Sequence, residues 1–102
     1  MSAYFIGNVK ITNAEEYQKY ASQTPAVIAK YGGRFLVRGG KVEFAEGVWG
    51  PDKWVMLEFP TMEALKRWYD SEDYQRIIGI RKRSTQTNAV AVEGVGTSLP
   101  NR

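Results

Sequence analysis

Along this chain, apolar and polar positions alternate with a period of two in four stretches and follow a helical period in two. Ala3–Thr12, AYFIGNVKIT, is rich in β-branched and aromatic residues and predicts a strand. Alternation sets Tyr4, Ile6, Asn8 and Lys10 on one face and Phe5, Gly7, Val9 and Ile11 on the other. Both faces begin apolar, which implies a central strand covered on both sides. Asn13, followed by Ala14, Glu15 and Glu16, opens a helix: its side chain can accept from an orphan amide, and two acids sit in the positive first turn. Tyr17, Tyr20, Ala21, Thr24, Ile28 and Tyr31 then share one helical face. Pro25 removes an amide donor and crowds the preceding turn, so the pattern predicts a kink, or a restart with Thr24 as cap. Gly32-Gly33 ends the helix through a left-handed residue.

Arg34–Glu46 reads as a second strand region with Gly39-Gly40 inside it. A Gly-Gly hairpin would create an extra strand, whereas a glycine bulge would bend one long strand. The bend is favoured, because Val48–Lys53 (VWGPDK) makes a better turn into the next strand. Trp54–Pro60, WVMLEFP, is the most apolar strand, with Trp54, Met56 and Glu58 on one face and Val55, Leu57 and Phe59 on the other. Pro60 stops it and Thr61 caps a helix whose apolar face is Leu65, Trp68 and Tyr69. Asp70–Asp73 looks like a break and recap, after which Tyr74, Ile77, Ile78 and Arg81 continue at helical spacing. Arg81, Lys82 and Arg83 suit the negative end of that helix. Thr87–Glu93 alternates small and apolar residues as a last strand. Residues 1–94 then form a single domain, and 95–102 a polar tail that is loose unless a partner holds it.

The predicted order is β-α-β-β-α-β, an α+β ferredoxin-like arrangement. Right-handed crossovers place both helices on one face of a four-stranded antiparallel sheet. Strands one and three nevertheless carry large apolar residues on both faces. A monomer would expose Tyr4, Ile6, Trp54 and Met56, or their alternates, and such a patch marks an interface. A second copy packed sheet against sheet is the simplest cover, giving a homodimeric α+β barrel.

Composition narrows the chemistry. The chain has 102 residues, enough for one core, and is 43% hydrophobic and 13% aromatic. It contains no cysteine, so disulfides, thiolate nucleophiles and cysteine-ligated metals are excluded, in keeping with a cytoplasmic location. It contains no histidine, which removes catalytic triads and histidine-based metal sites and leaves proton transfer to Glu, Asp, Lys, Tyr or water. The amino terminus has no signal-peptide pattern, and no apolar run approaches the roughly 20 residues that span a bilayer. Net charge is +3 with acids interspersed throughout, a mildly basic surface and not a phosphate-binding stripe. The third strand, WVMLEFP, lacks the glycine-containing aromatic run of an RNA-binding ferredoxin-like sheet. Neither nucleic acid nor a membrane is expected as partner, and no metal or cofactor is implied.

Three segments in order, YGGRFLVRGG at 31–40, LEFP at 57–60 and WYDSEDYQ at 68–75, make the chain resemble a bacterial family. It is the domain-of-unknown-function family thirteen-thirty, within the dimeric α+β barrel superfamily. The resemblance covers about Ala3–Gly94 and implies a ferredoxin-like protomer and a dimer. It implies no established reaction. Superfamily relatives include cofactor-free monooxygenases, haem-degrading enzymes, muconolactone isomerase and chlorite dismutases; several use a histidine, and those activities do not carry over.

Arg38 and Glu58 are the leading polar candidates. Arg38 adjoins a glycine pair that admits close approach, and Glu58 interrupts an apolar strand, where a charge needs a partner or water. If the strand register brings them together, the guanidinium can clamp a carboxylate ligand while Glu58 orients it or serves as acid/base. The plain alternative is a structural ion pair at the sheet edge or dimer interface. Arg34 is either solvated or assists Arg38. Tyr20, Tyr69 and Tyr74, on the inner helix faces, either line a ligand pocket between helices and sheet or simply pack the core. Trp68 reads as core, and Glu43 and Glu46 as surface charges that protect a strand edge. Two kinds of function remain open. One is a small dimer that binds a small organic acid or aromatic metabolite, in its enzymatic form a metal-free isomerase or cofactor-independent oxygenase. The other is a non-catalytic stress-associated or structural dimer with no ligand.

Overall fold

A computed structural model describes residues 1–50 and 52–96. Its elements run β1 (Ala3–Ile11), α1 (Ala14–Ala21), α2 (Thr24–Lys30), β2 (Arg34–Arg38), β3 (Lys53–Phe59), α3 (Met62–Asp70), α4 (Glu72–Ser84) and β4 (Thr85–Glu93). The strands form one antiparallel sheet in the order β2-β3-β1-β4, the ferredoxin-like α+β topology.

Among the described residues, three of the four helices begin where a side chain supplies an acceptor for their orphan amides. Asn13 accepts from the Glu16 amide, Thr61 from Ala64 and Ser71 from Tyr74. Ser71 also closes α3, so the break expected at 70–73 is a single shared cap. The break at Pro25 falls slightly differently from either expectation. Helix α2 starts at Thr24 with Gln23 before it, and Gln23 makes no side-chain cap. Thr24 turns its hydroxyl back to the Ala21 carbonyl at 3.1 Å. That carbonyl would ordinarily accept from residue 25, but proline has no N–H. The same missing donor becomes important below.

Two expectations for the middle of the chain are corrected. The second strand ends at Arg38 instead of running to Glu46. Neither a hairpin nor a bend forms at Gly39-Gly40. Gly39 takes φ +71° and its amide still donates to the Trp54 carbonyl at 2.9 Å, after which the chain leaves the sheet. The irregularity in the strand lies earlier, where the pairing with β3 shifts between Phe35 and Val37. Leu36 is the extra residue, and it swings the following side chains by one position. Residues 39–50 and 52 hold no strand, and Trp49 donates its indole N–H to the Glu46 carbonyl at 2.8 Å within that segment. Of the turn expected over Val48–Lys53, Pro51 lies outside the described residues, as does the 97–102 part of the expected tail. The last strand begins at Thr85, two residues before the expected Thr87, because it follows α4 directly.

The helices pack on one face of the sheet. There Trp68, Tyr74 and Phe59 are fully buried, with Trp68 and Tyr74 ring centres 4.3 Å apart and Phe59 and Trp68 5.2 Å apart. Ala3, Val9, Leu57, Leu65, Ile28, Ile77 and Ile78 complete this core. The other face carries Val37, Trp54, Met56, Tyr4, Ile6, Val90 and Val92, side by side across all four strands. None of these seven is buried within the chain. The strands are therefore two-sidedly apolar as expected, but a single copy covers only one side.

Candidate functional site

Between the helices and the sheet lies an interior cavity of about 40 Å³. Its floor is sheet, with Phe5, Gly7, Val55, Leu57 and Thr87, and its roof is helix, with Tyr17, Tyr20, Ala21, Trp68 and Arg81. Gly7 helps to make the space, because a glycine on the inner face of β1 sends no side chain into it. Arg38 also lines the cavity and is the one lining residue that is exposed overall, so it stands at the rim.

Two local irregularities put Arg38 there. The bulge at Leu36 places Phe35 and Arg38 on the helix side, and the guanidinium then lies 4.5 Å from the Phe35 ring centre. Its Nη2 donates to the Ala21 carbonyl at 2.8 Å, the acceptor that Pro25 leaves without its helical donor.

Arg81 comes from the opposite side, in the last turn of α4. It is buried, and its Nε finds no hydrogen-bond partner; the buried indole N–H of Trp68 is also unpartnered. Among the described residues that line the cavity there is no carboxylate, and neither Arg38 nor Arg81 makes an ion pair. Phenols stand close by. Tyr20 and Tyr74 share a hydrogen bond of 2.7 Å between their hydroxyls. Burial pushes the pKa of Tyr20 well above the tyrosine range, reinforced by Tyr74, and burial raises that of Tyr74 as well. Burial also raises Tyr17, against the pull of the Arg38 and Arg81 charges. The cavity thus presents neutral hydroxyls and two guanidinium groups, and none of its phenols is poised as a base.

The register separates Arg38 from Glu58. Glu58 lies on the open face, opposite Tyr4 of β1 and Arg34 of β2. Arg34 grips its carboxylate through Nε at 2.8 Å and Nη2 at 2.7 Å, and the Tyr4 hydroxyl donates to it at 3.3 Å. The hydrogen bond from Arg34 holds the Glu58 carboxyl below the usual carboxylate range, with burial opposing and Ser2 and Tyr4 assisting. Of the candidate residues, Arg38 and Tyr20 thus meet at the cavity, with Tyr74 bonded to Tyr20 behind it. Arg34 and Glu58 meet each other on the far side of the sheet. Tyr69 packs its ring against Trp68 and Tyr74, at 5.8 and 5.5 Å, and lines a separate shallow groove with Ala89 and Ala91 of β4.

Arg81 and Tyr17 are the site residues that sequence reasoning passed over. Arg81 was readable: it falls on the same helical stripe as Tyr74, Ile77 and Ile78, so its charge sits on an apolar face. Its place in a basic helix end offered a sufficient explanation and hid that conflict.

The fold is shared with several solved structures. A protein of unknown function, RPA0582 from Rhodopseudomonas palustris, superposes with a TM-score of 0.77 at 15% identity, covering 93% of this chain and 83% of that one. SnoaB, a cofactor-independent oxygenase from Streptomyces nogalater, gives a TM-score of 0.65 at 14% identity, covering 98% of both chains. Rv0793 from Mycobacterium tuberculosis gives 0.59 at 10% identity, covering 97% of this chain and all of the other. No functionally curated protein matches the sequence. The family model described as "Domain of unknown function (DUF1330)" matches residues 2–95, and the chain belongs to that family.

Proposed function

We propose that this protein is a bacterial, cytoplasmic homodimer, assembled sheet against sheet, that binds a small organic acid or aromatic metabolite between its helices and its sheet. The observation that carries the ligand is the cavity itself, an aromatic-walled space with two unpartnered buried polar groups on its lining. Support for the dimer comes from the open sheet face, whose apolar residues span all four strands. In this reading Arg38 and Tyr20 contact the ligand, Tyr74 and Tyr69 hold the aromatic wall, and Arg34 with Glu58 forms an ion pair at the dimer interface.

Catalysis would take one of two forms, a metal-free isomerase or a cofactor-independent oxygenase like SnoaB. The cavity offers charges that stabilise a substrate anion but no group suited to generate one, since its phenols are held neutral by burial. Glu58, the acid/base candidate, is on the other face of the sheet. Binding without turnover therefore leads. A dimer with no ligand is the second reading, favoured by the size of the cavity: about 40 Å³ holds little more than a water without repacking.

Thermal unfolding in the presence of benzoate, salicylate, indole or catechol separates the two. Wild-type protein is expected to be stabilised by at least one of them, and Ala21→Met, which fills the cavity from α1, to lose that response. Stabilisation by none of the four, or an unchanged response in the filled variant, supports the ligand-free dimer.

A further inference from the structure

We infer that the cavity is an anion site whose ligand class is an organic carboxylate, with Arg81 as its buried anchor and Arg38 as the guanidinium at its rim. The inference deepens the reading of the cavity as a ligand pocket and rests on it. Arg81 is 8% exposed, its Nε has no partner, and it has no ion pair among the described residues. A charge withdrawn from water without a counter-charge is unfavourable unless something of opposite sign compensates it. The carbonyl end of α4 offsets part of this charge, but those carbonyls are engaged: Arg81's own accepts from the Thr85 hydroxyl at 2.7 Å and that of Ile80 from Ser84 at 2.7 Å. No lining residue among those described brings a carboxylate.

The groups around Arg81 describe its missing partner. Arg38, at the exposed rim, adds a second positive charge, and its present acceptor is a neutral carbonyl that a carboxylate outcompetes. The indole N–H of Trp68, which also lines the cavity, is the second unpartnered donor beside Arg81 Nε. Donors outnumber acceptors, so the ligand's recognised group is an acceptor with negative charge. Phe5, Phe35, Val55, Leu57 and Ile28 give the cavity apolar walls for the rest of the ligand, beside the neutral hydroxyls of Tyr17, Tyr20, Thr24 and Thr87. A flat, singly charged carboxylate suits the space between the aromatic rings better than a tetrahedral dianion with its hydration shell, and a ligand larger than a water enters the cavity of about 40 Å³ with repacking at its open Arg38 rim.

The test reads the two orphan N–H groups directly. In ¹H–¹⁵N spectra of the intact protein, the Arg81 Nε–H and Trp68 Nε1–H signals, assigned with Arg81→Met and Trp68→Phe, are followed during titration with acetate and benzoate. Acetamide and benzamide are their neutral counterparts, and inorganic phosphate is a tetrahedral anion. Saturable downfield shifts of both signals with the carboxylates, at least tenfold weaker with the amides, are the expected result. Arg81→Met is expected to fold with unchanged or higher thermal stability, because it removes an uncompensated buried charge at similar volume, and to lose carboxylate binding. Equal binding of amides and carboxylates overturns the anion site while leaving the ligand pocket standing. Equal or stronger shifts with phosphate overturn the carboxylate class. If no probe moves either signal, both the anion site and the pocket reading fall.

Discussion

Gly33 shows how a single atom governs this fold. A Cβ placed there would lie 2.5 Å from the Phe59 ring and 2.9 Å from a methyl group of Ile28, and Phe59 is fully buried. Neither neighbour has room to yield, so the glycine is needed for close approach of β2 to the core. Gly33→Ala is expected to destabilise by about 1–3 kcal/mol through overpacking, seen as a lowered midpoint in thermal unfolding. Gly40→Ala is the control, because nothing lies within 4 Å of that position, and its midpoint should stay close to wild type. A glycine at 33 is visible in the sequence as part of a helix stop. That its neighbour Gly32, at φ +84°, performs the stop while Gly33 serves packing is visible only once Phe59 is placed. Arg81 teaches the complementary lesson: the residue is legible on an apolar helical stripe, but its lack of a partner depends on what the other elements bring to the cavity.

At the scale of elements, the β2–β3 pairing determines what each arginine does. Arg34 precedes the bulge and faces Glu58, whereas Arg38 follows it and faces the helices. Were Leu36 paired in regular register instead of bulged, the two would share a face, as residues four apart in a regular strand do. A pH prediction belongs here. The folded-state pKa of Glu58 is lowered, chiefly by Arg34, so protons bind the unfolded chain more readily than the native one. The stabilisation from this pair is complete above the ordinary glutamate range and is lost as pH falls through the lowered native value. Glu58→Gln and Arg34→Met should therefore both flatten the fall in stability below about pH 4.5, the first by removing the titrating group and the second by returning its native pKa toward the unfolded value. Denaturant unfolding across that range measures both. An unaltered acid limb in Glu58→Gln would show that the pair does not contribute. Asp73, held below its usual range by Lys30 and Tyr31 between α4 and α2, supplies a similar acid-sensitive contact and is the appropriate background variant.

At the scale of the molecule, the open face of the sheet dominates. Val37, Trp54, Met56, Ile6, Val90 and Val92 form an apolar surface, and the 41–49 segment, with Val42, Phe44 and Trp49, borders a groove over it of about 590 Å³. Phe44 and Trp49 are each about half exposed in a single copy, at 54% and 52%. Both the sheet face and this segment are expected to be buried between two copies. Sedimentation equilibrium should give a dimer for the wild type and a monomer for Trp54→Glu or Ile6→Glu, while the monomeric variants keep a native helical signal in circular dichroism. A monomeric wild type at micromolar concentration would remove the dimer from the proposed function without touching the cavity.

By itself the sequence determined the elements and their faces, because periods of two and 3.6, proline, glycine and cap residues act locally and leave their mark in the order of side chains. It determined the ferredoxin-like connection through the order of those elements, and the double apolar character of β1 and β3 through simple alternation. The tertiary structure alone decided three things: that the long glycine-containing strand stops at Arg38, that Arg38 and Glu58 part to opposite faces, and that Arg38, Arg81 and Trp68 converge on one cavity. Each depends on register and on contacts between residues far apart in the chain. A one-residue shift reverses the face of every side chain beyond it, and no local pattern marks where Leu36 is inserted.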